Sequence, residues 1–372
     1  MNLLILSLHY DEHAVIVASA MSLLGHNVVC WDSPDAAGDT LLSLNISIGG
    51  RDSISWKIGD KYYSNDYFDV IWFRRKRCPS IPMKIHADDR DFVLEENREF
   101  FSRFWCASDS KTRLIHAPHI ADLGENKIKQ LVLAKECDFN IPNTILSNDK
   151  KDIKKFIKNN LLNGHDTIYK TFKAAGWVEG DKMLLKHTTT VNAGQISKNI
   201  LVKYVPGIYQ QKIEKKYEVR ANFFGDREIS VIIDSQKSMN GIDDWRSIIN
   251  LDGYIEQFKL PIDVYESSLQ LMKKLGLSVG CFDFIVDNND AYHFIEVNQQ
   301  GQFLWIEQIC DKCYLLDAFL DFIINGCISG VEVKNRDVIK YNNVLKSSRF
   351  KDLSNEFVKE KYFDTSKYSL VI

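Results

Sequence analysis

The chain has 372 residues, with 47 Lys and Arg against 50 Asp and Glu, a formal charge of −3 and 45% hydrophobic content. That length predicts two or three domains, and the near balance of intermixed charge excludes a general nucleic-acid surface. Seven prolines and this apolar fraction exclude a disordered chain, and no charge-free apolar run reaches membrane-spanning length. Eight cysteines spread over the length point to reduced thiols and a cytoplasmic protein. Cys310 and Cys313 are the C-x-x-C pair, and with no further ligands nearby an apolar helix face is the simpler reading than zinc or redox chemistry.

In chain order, LLILSL, a helix from Glu12 to Leu24 ending at Gly25, and VVCW read as β-α-β. The first turn, HYDEH, has no glycine, so it lacks the chemistry that cradles a pyrophosphate. The strand from Asp69 to Phe73 runs into Arg74, Arg75, Lys76 and Arg77, a cationic cluster at a strand end where α/β sheets meet ligands. A solvated sheet edge is the competing reading. Helices follow from Asp91 to Trp105 and from Asn126 to Cys137, the latter stopped at Ile141-Pro142. Asp149 caps a lysine-rich amphipathic helix, and TIYKTF reads as a strand with Lys170 inside it. Short turn-separated strands around LVKYV, IYQQKI, YEVRANFF and EISVIID predict an antiparallel sheet. A helix from Pro261 to Leu275, with Gly276 past its end, comes next. The segment from about Val331 is charged and poorly periodic.

The richest stretch is CFDFIVDNNDAYHFIEVNQQGQ. Alternation puts Cys281, Asp283 and Ile285 on one face, and Asp287 to Asp290 supply a turn. That hairpin sets Val286 opposite Ala291 and Asp283 opposite Phe294, making Glu296 a diagonal neighbour of Asp283, with Asn298 extending the face. Carboxylate and amide oxygens suit magnesium, which takes one or two protein carboxylates and completes its shell with phosphate oxygens and water. A surface hairpin with scattered acids is the bland alternative.

Read in order, Asn126-Lys127 opening a helix, Lys170 in a strand, Gln210-Gln211, Y-E-V-R with Glu218 and Arg220, D-W-R ending at Arg246, and D…E-V-N resemble the ATP-grasp ligases. Within them the strings I-W-F-R-R, N-K-I-K-Q-L-V-L-A, I-P-N-T-I-L-S-N and E-V-N-Q-Q-G-Q-F-L-W-I-E resemble the peptide maturases that crosslink microviridins and related graspetides. The resemblance implies an α/β (α+β) ATP-grasp fold. It has an N-terminal Rossmann-like pre-ATP-grasp domain over 1–120, a central lobe over 121–205, a metal-bearing lobe over 206–330 and a tail over 331–372, with ATP clamped between the lobes.

The resemblance further implies Lys127 and Lys170 as phosphate contacts, the backbone of Gln211, Lys212 and Ile213 at the adenine, and Glu218 at the ribose. Asp283, Glu296 and Asn298 become the magnesium ligands, with Arg220 and Arg246 as catalytic charge stabilisers. Arg74 and Arg75 are candidate contacts to an acidic substrate. Gln211 replaces a usual Glu, and Gln299 stands where relatives often have proline, which should loosen that loop. The implied reaction phosphorylates an Asp or Glu side chain of a ribosomally made precursor with ATP and Mg2+. Ser, Thr or Lys then closes an ester or amide ring. The implied partner is a precursor peptide with a leader segment, captured near HTTTVNAGQIS (187–197), which reads as a hairpin or loop; no nucleic acid or membrane partner is expected, and a homodimer is left open. An amino-acid ligase acting on a small molecule or protein end, and a nucleotide-binding regulatory protein, are the alternatives.

Overall fold

The computed structural model describes residues 1–372 except 9–10, 33–40, 49–52, 65, 76–79, 83, 108–110, 174, 180–181, 187, 243, 249, 327–335, 358–368 and 372. The Lys76 and Arg77 half of the cationic cluster, His9, Tyr10 and His187 therefore lie outside the described residues. The strands Asn2–Ser7, Asn27–Asp32, Val70–Phe73 and Arg113–Ile115 form a parallel sheet. Its strands are apolar runs because both faces are covered. Leu3, Ile5, Val70 and Trp72 pack with the helix Glu12–Leu23 and the helix Leu315–Asn325. Leu4, Leu6, Ile71 and Phe73 pack on an aromatic cluster of Trp31, Trp56, Phe68, Phe101, Phe104 and Trp105. A three-stranded antiparallel meander, Leu41–Asn45, Ser53–Ile58 and Lys61–Ser64, supplies part of that cluster.

A second sheet holds Thr189–Val191, Thr167–Lys170, Gly207–Gln211 and Thr144–Ser147, all antiparallel. The helices Lys150–Leu162 and Ala193–Lys198 cover one face through Ile153, Ile157 and Ile196, which meet Tyr209 and Tyr169. Because Tyr169 points into that core, alternation sends Lys170 to the opposite face.

The third sheet is ordered Ile255–Phe258, Arg227–Ile233, Lys215–Phe224, Val279–Asp287 and Tyr292–Asn298. Val219, Ala221, Phe223, Phe282, Phe284, Phe294 and Val297 face the helices Ile262–Leu275 and Lys127–Glu136. The opposite face is divided along its length. Phe224, Val231 and Val279 join the core of the parallel sheet, whereas Glu218, Arg220, Asp283 and Glu296 gather as polar neighbours.

Two expectations about elements are corrected. The segment after Val331 is not merely charged tail: Arg336–Ile339, Tyr341–Lys346 and Ser348–Phe357 are helices. Their Ile339, Tyr341, Val344 and Leu353 are buried in the core shared with Glu12–Leu23. The stretch 188–197 is neither a hairpin nor a plain loop. It is the edge strand Thr189–Val191 followed by a helix that Asn192 and Gln195 open with reciprocal side-chain-to-backbone hydrogen bonds.

Candidate active site

The acidic hairpin forms with a different register from the one read by alternation alone. Asp287 belongs to the strand, Val286 pairs with Tyr292, and Phe284 pairs with Phe294. A bulge then brings Asp283 directly opposite Glu296 and Cys281 opposite Asn298. Phe294 and Val297 are three residues apart yet both enter the apolar core, which an unbroken two-residue period forbids. The bulge reconciles them, and it delivers Glu296 and Asn298 to the face of Asp283.

Cations surround the two carboxylates. Arg220 donates from Nη1 to Asp283 Oδ1 at 2.7 Å, and Arg246 from Nη2 to Asp283 Oδ2 at 3.3 Å. Arg246 lies 3.7 Å from Glu296 Oε1, and Lys127 Nζ lies 3.1 Å from Glu296 Oε2. Asn298 donates to Glu296 at 3.3 Å. Burial alone would raise the Glu296 carboxyl, but Lys127, Arg246 and Lys170 hold it down at about 2. Burial pushes Lys170 down to about 8, against the opposing pull of Glu296. For Arg246, the attraction of Asp283, Asp244 and Glu296 overrides burial and raises its affinity for the proton.

Each group is aimed by its local structure. Asn126 caps the helix that begins at Lys127, accepting from the Lys129 amide at 3.0 Å. One turn on, buried Gln130 donates to the Val297 carbonyl at 2.9 Å and accepts from its amide at 3.0 Å, which ties the lysine's helix to the strand of Glu296. Asp244 opens the Trp245 turn and bonds both the amide and Nη1 of Arg246, whose guanidinium lies over the Trp245 ring. Asp244, Trp245 and Lys215 are site neighbours that the sequence reading did not single out individually. The D-W-R string held the signal for the first two. Lys215 Nζ meets Glu218 Oε1 at 2.8 Å, Ser235 donates to the same oxygen at 2.9 Å, and burial raises the Glu218 carboxyl.

The strand Gly207–Gln211 brings Gln211 to the end of the second sheet. Its amide donates to the Asn143 carbonyl at 2.9 Å, its side-chain oxygen accepts from Asn143 at 3.0 Å, and the Lys212 amide donates to Asp166 at 2.8 Å. The amides of Gln211 and Lys212 and the Gln211 side chain thus already have protein partners, and Ile213 follows them into the connection between the sheets. The arginine pair separates. Arg74 is fully buried, donating to Asp11 at 3.1 Å and to the Gln300 carbonyl at 2.6 Å, with its proton affinity lowered by burial to about 10. Its proposed contact with an acidic substrate is therefore corrected to a structural tie, and only Arg75 reaches open space. The loop after Asn298 is also not loosened. Gln299 is buried, bonds His116 at 3.0 Å and donates to Glu125 at 2.9 Å.

Two facing carboxylates and an amide, ringed by Lys127, Lys170, Arg220 and Arg246, match the donor set that magnesium shares with phosphates. Among the described residues no three acidic, His or Cys groups converge as a metal cage, so any ion here must draw further ligands from a phosphate or water. A side-chain flip of Asn298 would aim its oxygen inward.

Two antiparallel sheets bearing this cluster, beside a parallel N-terminal sheet, define the ATP-grasp class. The RimK-like ATP-grasp domain model matches residues 124–312, just over half the chain, and the protein belongs to that family. Among solved structures it is similar to a Chryseobacterium gregarium RiPP-associated ATP-grasp ligase in complex with ADP and a leader and core peptide. Identity is 24%, covering 87% of this chain and 96% of that one, with a TM-score of 0.77. It is also similar to the Microcystis aeruginosa MRC macrocyclase MdnC bound with precursor peptide MdnA, at 20% identity, 87% and 100% coverage and a TM-score of 0.73. The ATP-grasp ligase PsnB, complexed with a phosphomimetic variant of its minimal precursor, Mg and ADP, is 15% identical over 88% and 98% of the chains, with a TM-score of 0.66. No curated protein sequence matches the chain.

Proposed function

We propose that the protein is an ATP-dependent ligase that activates Asp or Glu side chains of a precursor peptide and closes ester or amide rings with Ser, Thr or Lys. The observation that carries this reading is the directly opposed Asp283–Glu296 pair inside a ring of four cations. Asp283, Glu296 and Asn298 would hold Mg2+, which when bound would supply positive charge to offset that of the phosphates; Lys127 and Lys170 hold phosphate oxygens, and Glu218 faces the ribose. Arg220 and Arg246 present planar forks to the phosphoryl group in transfer. No protein nucleophile is needed, because the peptide carboxylate attacks the terminal phosphorus, ADP leaves, and the hydroxyl or amine then displaces phosphate from the acylphosphate.

The peptide substrate is supported by similarity along almost the entire chain to structures solved with precursor peptides. The edge strand Thr189–Val191 and its following helix are a candidate surface for the leader, since an extended peptide can add to a sheet at its edge. Trapping decides the chemistry. With Mg2+, ATP and a co-encoded Thr- and Glu-rich peptide, added hydroxylamine should convert the acylphosphate to a peptide hydroxamate with stoichiometric ADP. Hydroxamate formed from free amino acids and never from peptide would transfer the assignment to a small-molecule ligase, and nucleotide binding without any hydroxamate would favour a regulatory protein.

A further inference from the structure

A cavity of about 320 Å³ opens at the start of the helix Glu12–Leu23, with Asp11, Glu12, His13, Arg75, Gln302 and Trp305 in its wall. That is within the range of small-ligand pockets, roughly 300–1,000 Å³. Several features suit it to an anion. The first turn of the twelve-residue helix Glu12–Leu23 forms one side, bringing the positive end of the helix to the cavity. Arg75 adds a cation with a third of its side chain exposed. Asp11 does not cancel the site outright, because its carboxylate is already engaged by the Ser7 hydroxyl at 2.8 Å and by buried Arg74 at 3.1 Å, with Arg75 farther away at 3.5 Å. His13 is 8% exposed and its Nε2 is buried without a partner among the described residues, a state that costs stability until a ligand or water bonds it. Burial, then Arg74 and Arg75, keep that ring neutral at physiological pH.

The same wall touches the catalytic cluster. The Gln302 carbonyl accepts from Trp305 Nε1 at 3.1 Å and from Arg220 Nη2 at 3.4 Å. Trp305 stacks on Trp245 with centroids 5.1 Å apart, and Trp245 carries the Arg246 guanidinium on its ring. Both arginines pair with Asp283.

Building on the ligase reading, we propose that this cavity receives the acidic side chain to be activated. Arg75 and the first helical turn hold its carboxylate, His13 supplies a neutral hydrogen-bonding partner, and Trp305 packs its methylenes. Glu12 stands in the same wall and opposes the bound charge, so it tempers affinity.

The full chain, loaded with Mg2+ and a nonhydrolysable ATP analogue, is titrated with N-acetyl-glutamate α-amide, its glutamine counterpart and inorganic phosphate, with binding read by ligand-observed NMR. The glutamate probe should bind saturably and the glutamine probe at least roughly tenfold more weakly, as loss of a charge-assisted contact implies. Arg75→Ala should weaken the glutamate probe by a similar factor with nucleotide affinity unchanged, and Glu12→Gln should tighten it. Equal binding of the two probes, displacement of the glutamate probe by phosphate, no saturable binding, or indifference to Arg75→Ala would each overturn the proposal. Failure of the wild-type protein to bind the nucleotide would strike the ligase reading itself.

Discussion

Glu296 and Lys170 share one electrostatic problem, and their titration exposes it. The Glu296 carboxyl sits at about 2 against its ordinary 4.5, with Lys127, Arg246 and Lys170 outweighing burial. A depressed acid contributes stability that is present above pH 4.5 and is lost as pH falls toward 2. Glu296→Gln should therefore cost the nucleotide-free protein about 3 kcal/mol at neutral pH, as well as abolishing ATP turnover. In urea unfolding, the gap between wild type and mutant should close as pH falls from 4.5 toward 2. A constant gap would contradict the cation ring. Lys170 titrates in the opposite setting: its proton affinity is lowered to about 8, so about half of it is neutral at pH 8 before nucleotide arrives. Phosphate oxygens would restore the charge, so binding of Mg2+ and an ATP analogue at pH 8 should take up as much as roughly half a proton more in wild type than in Lys170→Met. Calorimetry in buffers of different ionisation enthalpy measures that difference, and equal uptake would remove Lys170 from the phosphate site.

At the scale of elements, the hairpin and its following loop act as one device. A Cβ at Gly301 would stand 2.5 Å from Cys281 Sγ and 2.8 Å from Arg220 Nη2, so Gly301 lets the loop close over the arginine paired with Asp283. Gly301→Ala should displace Arg220 and lower turnover by roughly tenfold or more, with the secondary structure seen by circular dichroism retained; unchanged turnover would mean that Arg220 is not held by this loop. The hairpin itself was legible because alternation and a polar turn are local. Its register was not, because the bulge exists to bury Phe294 and Val297 together against helices from distant sequence. Arg74 misled for a related reason: four basic residues in a row read as surface, while the partners that bury one of them, Asp11 and the Gln300 carbonyl, are far away along the chain. Likewise, nothing local marks Gln299 as a tie between His116 and Glu125.

Across the whole molecule, one core joins parts that the sequence divides. Residues of the parallel sheet, the third sheet, the helix Leu315–Asn325 and the helices after Arg336 pack together. Charged solvent faces hide this in the sequence, since few residues of each short terminal helix point inward. Truncation at Gly326 would expose the surface that Ile339, Tyr341, Val344 and Leu353 cover, at about 1.5–3 kcal/mol per large buried side chain. The truncated protein should melt well below the full chain or accumulate insolubly, and an unchanged melting temperature would show that the tail helices are dispensable. What this assembled molecule does to a peptide is tested most directly by mass spectrometry of a co-encoded precursor incubated with the protein, ATP and Mg2+. ADP should be released and the peptide should become lighter by whole water masses, with crosslinks from Asp or Glu to Ser, Thr or Lys. A peptide of unchanged mass while ADP accumulates with free amino acids, or one made heavier by an added residue, would contradict ring closure.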